Sequence, residues 1–388
     1  MRNVHALLRQ RCRMIAAASA LMLVVMSLPV KAAGPPEESG EFIFDTIFVN
    51  RGPDKDHISA FKDSNYRNEV KVHEHYIAQN TIQWALDNAR VTVITDGQYK
   101  ISHPITIKKP GTRLVIGPKA TIQGTDTLPR RMSVIEVNRA NDVQIFVLGT
   151  LKGNAGVGVQ FNGQSGGDSG IDGGMIFGSG QLKNVRAGYW LVDTANVKIP
   201  LAVSENPLYA VTGMEGAHDT EIGTVAQMTS GVYKDGSTVD ITMNNKRVNI
   251  QHVFGPSPDR KDKVVHVNNS HNVTINQLTA FVGSDGREHS VVLADRYDVP
   301  GLMYQLERDR PLFGFRTERP ILAENKGLNI QSTNRVRKDV AEFSKEVSYP
   351  GFPKSIPELN VKVNLTVEFD DGREAELFKK DYNFNLQK

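Results

Sequence analysis

Asp240 and His266 occupy the same place in a phrase that is written twice between Asp235 and Ile275. The first copy runs Val239-Asp240-Ile241, an Asn244-Asn245 corner, then Val248-Asn249-Ile250. The second runs Val265-His266-Val267, an Asn268-Asn269 corner, then Val273-Thr274-Ile275. Alternation puts the flanking Val and Ile on one face of a strand and the middle residue on the other. If the copies stack as neighbouring turns, Asp240 and His266 stand side by side and point outward. A histidine beside a carboxylate is suited to take a proton, and abstraction of a proton α to a carboxylate also needs a cation to neutralise that carboxylate. Arg287 and Arg296 are the candidate cations, because a guanidinium fork matches a carboxylate. Asp235, Asp240 and Asp262 could instead act as paired acid and base, or hold Ca²⁺ through oxygen ligands. Trp190, outward with Tyr189 on an earlier turn, could offer a ring face to a sugar or pack against a loop. Glu215 and His218, in a longer excursion (TGMEGAHD), and His289, beside Arg287, complete the candidates. The plain structural reading of each is a solvated outward side chain, and Asn244-Asn245 and Asn268-Asn269 read as corner ladders rather than ligands.

Composition narrows the setting. The chain has 388 residues, one Cys and a formal charge of +3. Arg2, Arg9, Arg11 and Arg13 precede an apolar run from Met14 to Val30, which Ser27 and Pro29 interrupt and Val30-Lys31-Ala32-Ala33 ends. That layout is expected of a Sec signal peptide over residues 1–33, cleaved near Ala32/Ala33, rather than a retained anchor. There is no Cys after the run for lipidation, and the leader has no Arg-Arg pair for twin-arginine export. Cleavage would remove Cys12, so neither a disulfide nor a thiolate metal site is expected. It would also remove five positive residues and no acid, taking the charge to −2, which gives nucleic-acid binding no support. The expected location is the periplasm or the medium around a bacterial cell, with no membrane span after cleavage.

The elements that must position these residues repeat along the chain. Residues 34–77 form an N-terminal extension. Ile82, Ala85, Leu86 and Ala89 have helical spacing, with Asn80 or Thr81 as cap. Short strands follow at Val91–Ile94, Tyr99–Ile101, Ile105–Ile107, Leu114–Ile116 and Ala120–Ile122, without intervening helices, which argues against a doubly wound sheet. A polar corner followed by a Val-x-Ile-like tag then recurs, its first residue being Val143, Val197, Thr220, Val248, Val273 or Leu328. Successive spacings are 54, 23, 28, 25 and 55 residues. The two long gaps read as double steps, with weaker tags at Ser169-Gly170-Ile171 and Asp298-Val299-Pro300 near their midpoints. A fixed period of strand-length units without a helix per repeat specifies a β-solenoid. The helix would cover the open edge of the first turn. Gly163 to Gly180 is Gly-rich but has no Gly-Lys-Ser/Thr and no following helix, so it reads as tight turns rather than a nucleotide loop. Past Ile330, Arg335 to Lys345 is charged and helix-compatible, Leu359 to Phe369 alternates as a strand, and Asp370-Asp371-Gly372-Arg373 is the turn of a hairpin returning over Glu374 to Phe378.

The chain resembles the pectin-lyase-like superfamily over roughly residues 78–335. The resemblance lies in the Ile82-Gln83-Trp84-Ala85-Leu86 helix, the Val93-Ile94-Thr95-Asp96-Gly97-Gln98-Tyr99 segment and the repeated Asn-Val-x-Ile rungs. It implies an all-β, single-stranded right-handed parallel β-helix with an N-terminal capping helix and, over 336–388, a C-terminal β cap or accessory element. It further implies action on an acidic polysaccharide. Lys234-Asp235-Gly236, Asp262-Lys263 and Glu288-His289 fall where polygalacturonase-like members carry Asn-Thr-Asp, Asp-Asp and Gly-His-Gly, but they lack the double Asp and the Gly-His-Gly. Arg-Ile-Lys and the Asp-Pro-His-Asp of mannuronan epimerases are also missing. The expectation is therefore a secreted polysaccharide lyase cleaving a uronate-containing chain by β-elimination, with His266 as base. Its alternatives are a glycoside hydrolase using Asp235, Asp240 and Asp262, and a non-catalytic exopolysaccharide-binding or processing protein. The expected protein is a monomer whose partner is the anionic polysaccharide; no cofactor is required, and Ca²⁺ is the one candidate ion.

Overall fold

The computed structural model describes residues 41–50, 58–62, 71–130, 132–154, 156–163, 170–204, 208–227, 237–256, 263–282, 292–295, 327–337, 340–351, 356 and 358–387. The expected signal peptide lies outside them.

Two sheets alternate along the chain. An eight-stranded sheet is built from Ile105–Ile107, Ile135–Asn138, Val157–Asn162, Ala187–Val192, Ala210–Glu215, Ser237–Thr242, Lys263–Asn268 and Val292–Asp295, stacked in that order. Between successive members the chain contributes strands to a 16-stranded sheet, through Ala89–Ile101, Arg113–Gly124, Gln144–Val147, Met175–Gly178, Lys198–Ser204, His218–Gln227, Lys246–Pro256, His271–Val282 and Asn329–Arg337. Each strand lies parallel to its counterpart one turn away, which makes the chain a parallel β-helix. Its interior is a ladder of aliphatic side chains: Ile145, Ile176, Ile199, Ile222, Ile250 and Ile275 from the larger sheet face Val159, Tyr189, Val239 and Val265 from the smaller. One turn could not bury these residues alone, whereas stacked turns bury all of them.

The corners explain the repeated tags. The residue before each tag is left-handed: Asp142 (φ 55°), Asn196 (54°), Asp219 (54°), Arg247 (54°), Asn272 (56°) and Gly327 (67°). Asn, Asp and Gly tolerate this region best and hold five of these six corners, Arg247 holding the other. The first long gap does contain an extra turn, but Ile176, after the corner glycines Gly173 and Gly174, takes the ladder position expected of Ile171. The second long gap is not a double step. His271–Val282 pairs directly with Asn329–Arg337, Ile275 against Ile330, and Asp298-Val299-Pro300 lies outside the described residues. Sequence spacing counts residues and cannot tell an extra turn from a departure that returns in register.

Both sheet edges at the N-terminal end are covered, by different devices. The helix, Ala78–Asn88, buries Ile82, Ala85 and Leu86 and lies against the Ile105–Ile107 edge of the smaller sheet. Gln83 Nε2 donates to the Thr106 carbonyl (2.8 Å) and the Thr106 N–H donates to Gln83 Oε1 (3.0 Å), so a side-chain amide stands in for a neighbouring strand. The edge of the larger sheet is instead extended by Phe44–Asn50, parallel, then Ile58–Phe61 and Lys71–His75, antiparallel. Asn80 and Thr81 are not the cap. The helix begins after Ile77, and Thr81 Oγ1, buried, donates to the Ile58 carbonyl (3.0 Å).

The charged segment from Arg335 is strand rather than helix, falling in Asn329–Arg337 and Val340–Ser348. Val340–Ser348, Glu358–Phe369 and Glu374–Asn385 make a three-stranded antiparallel sheet. This sheet does not close an end of the coil. Leu359, Val361, Val363, Leu365 and Val367 cover the outer face of the larger sheet, packing with Phe146, Phe177, Leu201, Phe254 and Phe281 from successive turns. Phe177 meets Tyr382 and Phe384 edge-on, with centroids 4.9 and 5.0 Å away. Among the described residues no helix is long and apolar enough to cross a membrane.

Candidate functional site

Asp240 and His266 come together as the repeat requires. Val239 and Ile241 point into the core, as do Val265 and Val267, so the residue between each pair lies on the opposite face. The strands pair with Val239 against Val265 and Asp240 against His266. His266 Nδ1 lies 3.0 Å from Asp240 Oδ1. An ionised carboxylate only accepts hydrogen bonds, so Nδ1 is the donor in that pair.

The environment differs from expectation. Asp240 is 1% exposed and His266 is 7% exposed. The face is the expected one, but it is buried. Alternation decides which side of a sheet a residue occupies, not what lies against that side. The same holds for Trp190, which is 1% exposed and so presents no open ring face. Tyr189 points the other way, into the core, where burial pushes its phenol pKa up. Trp190 lies over the next turn at Gly213, where an added Cβ would come within 2.0 Å of Trp190 Cζ3. The outward row through the site therefore reads Glu136, Gln160, Trp190, Gly213, Asp240 and His266.

A second outward row flanks it, with Asn138, Asn162, Val192 and Glu215 in register and Thr242 and Asn268 continuing it. Asn162 Nδ2 donates to Glu136 Oε1 (2.8 Å). Glu136, Gln160 and Asn162 lie in these rows without having been singled out from the sequence. Their signal was available, because Ile135-Glu136-Val137 and Val159-Gln160-Phe161 alternate just as the later copies do.

Glu215 and His218 do not lie in an excursion. Glu215 ends a strand of the smaller sheet, Gly216 (φ 66°) turns the corner and His218 opens a strand of the larger sheet. His218 Nδ1 is 2.8 Å from Asp219 Oδ2, and Arg247 one turn on donates to both Asp219 oxygens, at 2.5 and 2.6 Å. These bonds, Arg247 first and His218 second, hold the Asp219 carboxyl well below the usual carboxylate range. The Asn245 amide bonds its own and neighbouring turns rather than an Asn partner, including Ser270 Oγ at 3.2 Å. Asn245 Oδ1 accepts from the Ala217 N–H (2.9 Å), while its Nδ2 donates to the Thr242 carbonyl (2.8 Å).

Asp235, Asp262, Arg287, His289 and Arg296 lie outside the described residues. Among those described, no group of three or more His, Cys, Asp or Glu is placed to hold a metal ion.

No family model matches the chain, and no curated protein matches it. Among solved structures, the crystal structure of the enzymatically active domain of tailspike protein 2 from bacteriophage CBA120 aligns with it. The identity is 10%, the TM-score is 0.38, and the alignment covers 79% of this chain and 67% of that chain. The pectin-lyase-like resemblance rests on the residues quoted for it.

Proposed function

We propose that this is a secreted or periplasmic enzyme that cleaves an anionic, uronate-containing polysaccharide by β-elimination. One observation carries the proposal: a histidine held by a carboxylate at 3.0 Å on the face of the β-helix turned away from its core. In this reading Asp240 is a positioning residue. It holds the imidazole in the tautomer whose Nε2 takes the proton α to the uronate carboxylate. As that C–H bond breaks, a C=C bond forms, the adjacent C–O bond breaks, and the departing glycosidic oxygen is protonated. The substrate carboxylate needs a cation during this step, the role proposed for Arg287 and Arg296. Of the proposed sugar contacts, Glu215 remains from the described residues and His289 from beyond them; Trp190, with no open ring face, does not. Elimination is favoured over hydrolysis because Asp240, one of the three aspartates a hydrolase would use, is occupied with His266.

The test is to incubate the purified chain with alginate, pectate, glycosaminoglycans, ulvan and neutral glycans, with and without Ca²⁺. New reducing ends and the ultraviolet absorbance of unsaturated uronates are followed in parallel. The expected result is both signals rising together, and their loss in His266→Ala. Reducing ends without absorbance would replace the lyase by a hydrolase. Silence on every substrate would leave a polysaccharide-binding protein.

A further inference from the structure

A cavity of about 430 Å³ lies at the first turns of the coil, lined by Phe42, Arg90, Arg113, Asp142, Gln144 and Gln387. It belongs to the larger sheet and lies apart from Asp240 and His266, which face away from the core on the smaller one. Arg113 stands between Val91 and Gln144 on neighbouring strands and is only 7% exposed. Its Nη1 donates to the Gly111 carbonyl at 2.6 Å, which fixes the guanidinium at the cavity wall. Arg90 is exposed at the rim. Burial first, and the positive charge of Arg90 second, push the Arg113 pKa down, while Asp142 partly offsets them. A cation crowded in this way is stabilised by a bound anion.

We propose that this cavity is a second binding site, for a single acidic sugar unit held through its oxyanion by Arg113 and Arg90. Two guanidinium groups face one lining carboxylate, so the cavity carries net positive charge. A planar guanidinium pairs with a carboxylate or a sulfate through two parallel hydrogen bonds. The Gln144 and Gln387 amides and Asp142 supply partners for sugar hydroxyls, and the Phe42 ring supplies a face for sugar C–H groups. The volume falls in the lower part of the range of small-molecule sites, which fits one sugar unit. The site would anchor a chain away from the proposed catalytic pair and does not depend on that pair's activity.

The test is calorimetric titration of the full chain with glucuronate, glucose 6-sulfate, inorganic sulfate and glucose. Saturable binding of one or both acidic sugars, but not of glucose, is expected; the two acidic probes distinguish carboxylate from sulfate. Arg113→Gln and Arg90→Gln should each weaken binding by roughly tenfold or more, while His266→Ala leaves it unchanged. Should Arg113→Gln fail to fold, the exposed Arg90→Gln decides. No saturation with either acidic sugar overturns the proposal. So does an affinity that Arg90→Gln leaves unchanged, or one for inorganic sulfate equal to that for the sugars.

Discussion

At the residue scale, the Asp240–His266 pair is a buried polar unit, and its energetics should show the asymmetry typical of such units. Asp240→Ala leaves a buried imidazole without this hydrogen bond and should cost about 1–3 kcal/mol in denaturant unfolding. Replacing both residues by leucine removes both polar groups and should recover most of that loss while leaving no elimination activity. A double variant as unstable as the single one would mean that the pair's other contacts dominate. The ion pair at Asp219 gives a second prediction. A carboxyl with a depressed pKa contributes stability that is complete above its unfolded pKa, about 3.9, and is lost as pH falls toward its folded value. The Tm gap between the wild type and Asp219→Asn should therefore be wider at about pH 7 than at about pH 2. The pairing of Asp240 with His266 was legible in the sequence because two copies of one phrase supply its register. The Asp219–Arg247 pair was equally legible in principle, since both residues precede tags on successive turns.

Elements are held in place by contacts between turns that spacing alone does not report. Gly213 is the clearest case. Its missing side chain lets the Trp190 ring lie across the next turn, and Gly213→Ala should cost about 1–3 kcal/mol by overpacking, read by thermal unfolding. Little loss would show that Trp190 can rotate away. Edge protection by Gln83 gives a parallel test. Gln83→Ala strips the Thr106 N–H and carbonyl of their side-chain partners and should lower stability by about 1–2 kcal/mol, against no change if water replaces them equally well. The helix itself was plain from the spacing of Ile82, Ala85 and Leu86. That its polar Gln83 would serve the backbone of another strand was not, because the partner is 23 residues away in sequence.

Over the whole molecule, the larger sheet carries an apolar row on its outer face as well as on its inner one, and the C-terminal sheet covers that outer row. A chain ending at Arg337 should therefore expose Phe146, Phe177, Phe254 and Phe281, aggregate, and bind a hydrophobic dye. A soluble, dye-negative truncation would show that this cover is dispensable. His252 lies against the same cover, with its ring centroid 6.4 Å from that of Phe378. Burial first, and Lys380 second, lower its pKa. The unfolded chain then takes up the proton more readily, so this group destabilises the fold as pH falls below the unfolded histidine value of about 6.5. His252→Gln should flatten the loss of Tm between about pH 7 and pH 5.

The sequence by itself determined the coil: strand-length units of alternating Val and Ile, Asn, Asp or Gly at left-handed corners, and the face on which each middle residue falls. Those are local properties, set by the two-residue period of a strand and by which side chains accept a positive φ. Only the tertiary structure decided what lies against each outward face. It buried Asp240, His266 and Trp190, laid the C-terminal strands along the coil rather than over its end, and turned an apparent double step into a direct pairing of Ile275 with Ile330. These outcomes depend on contacts between segments far apart in the chain, and no local periodicity encodes which surface meets which.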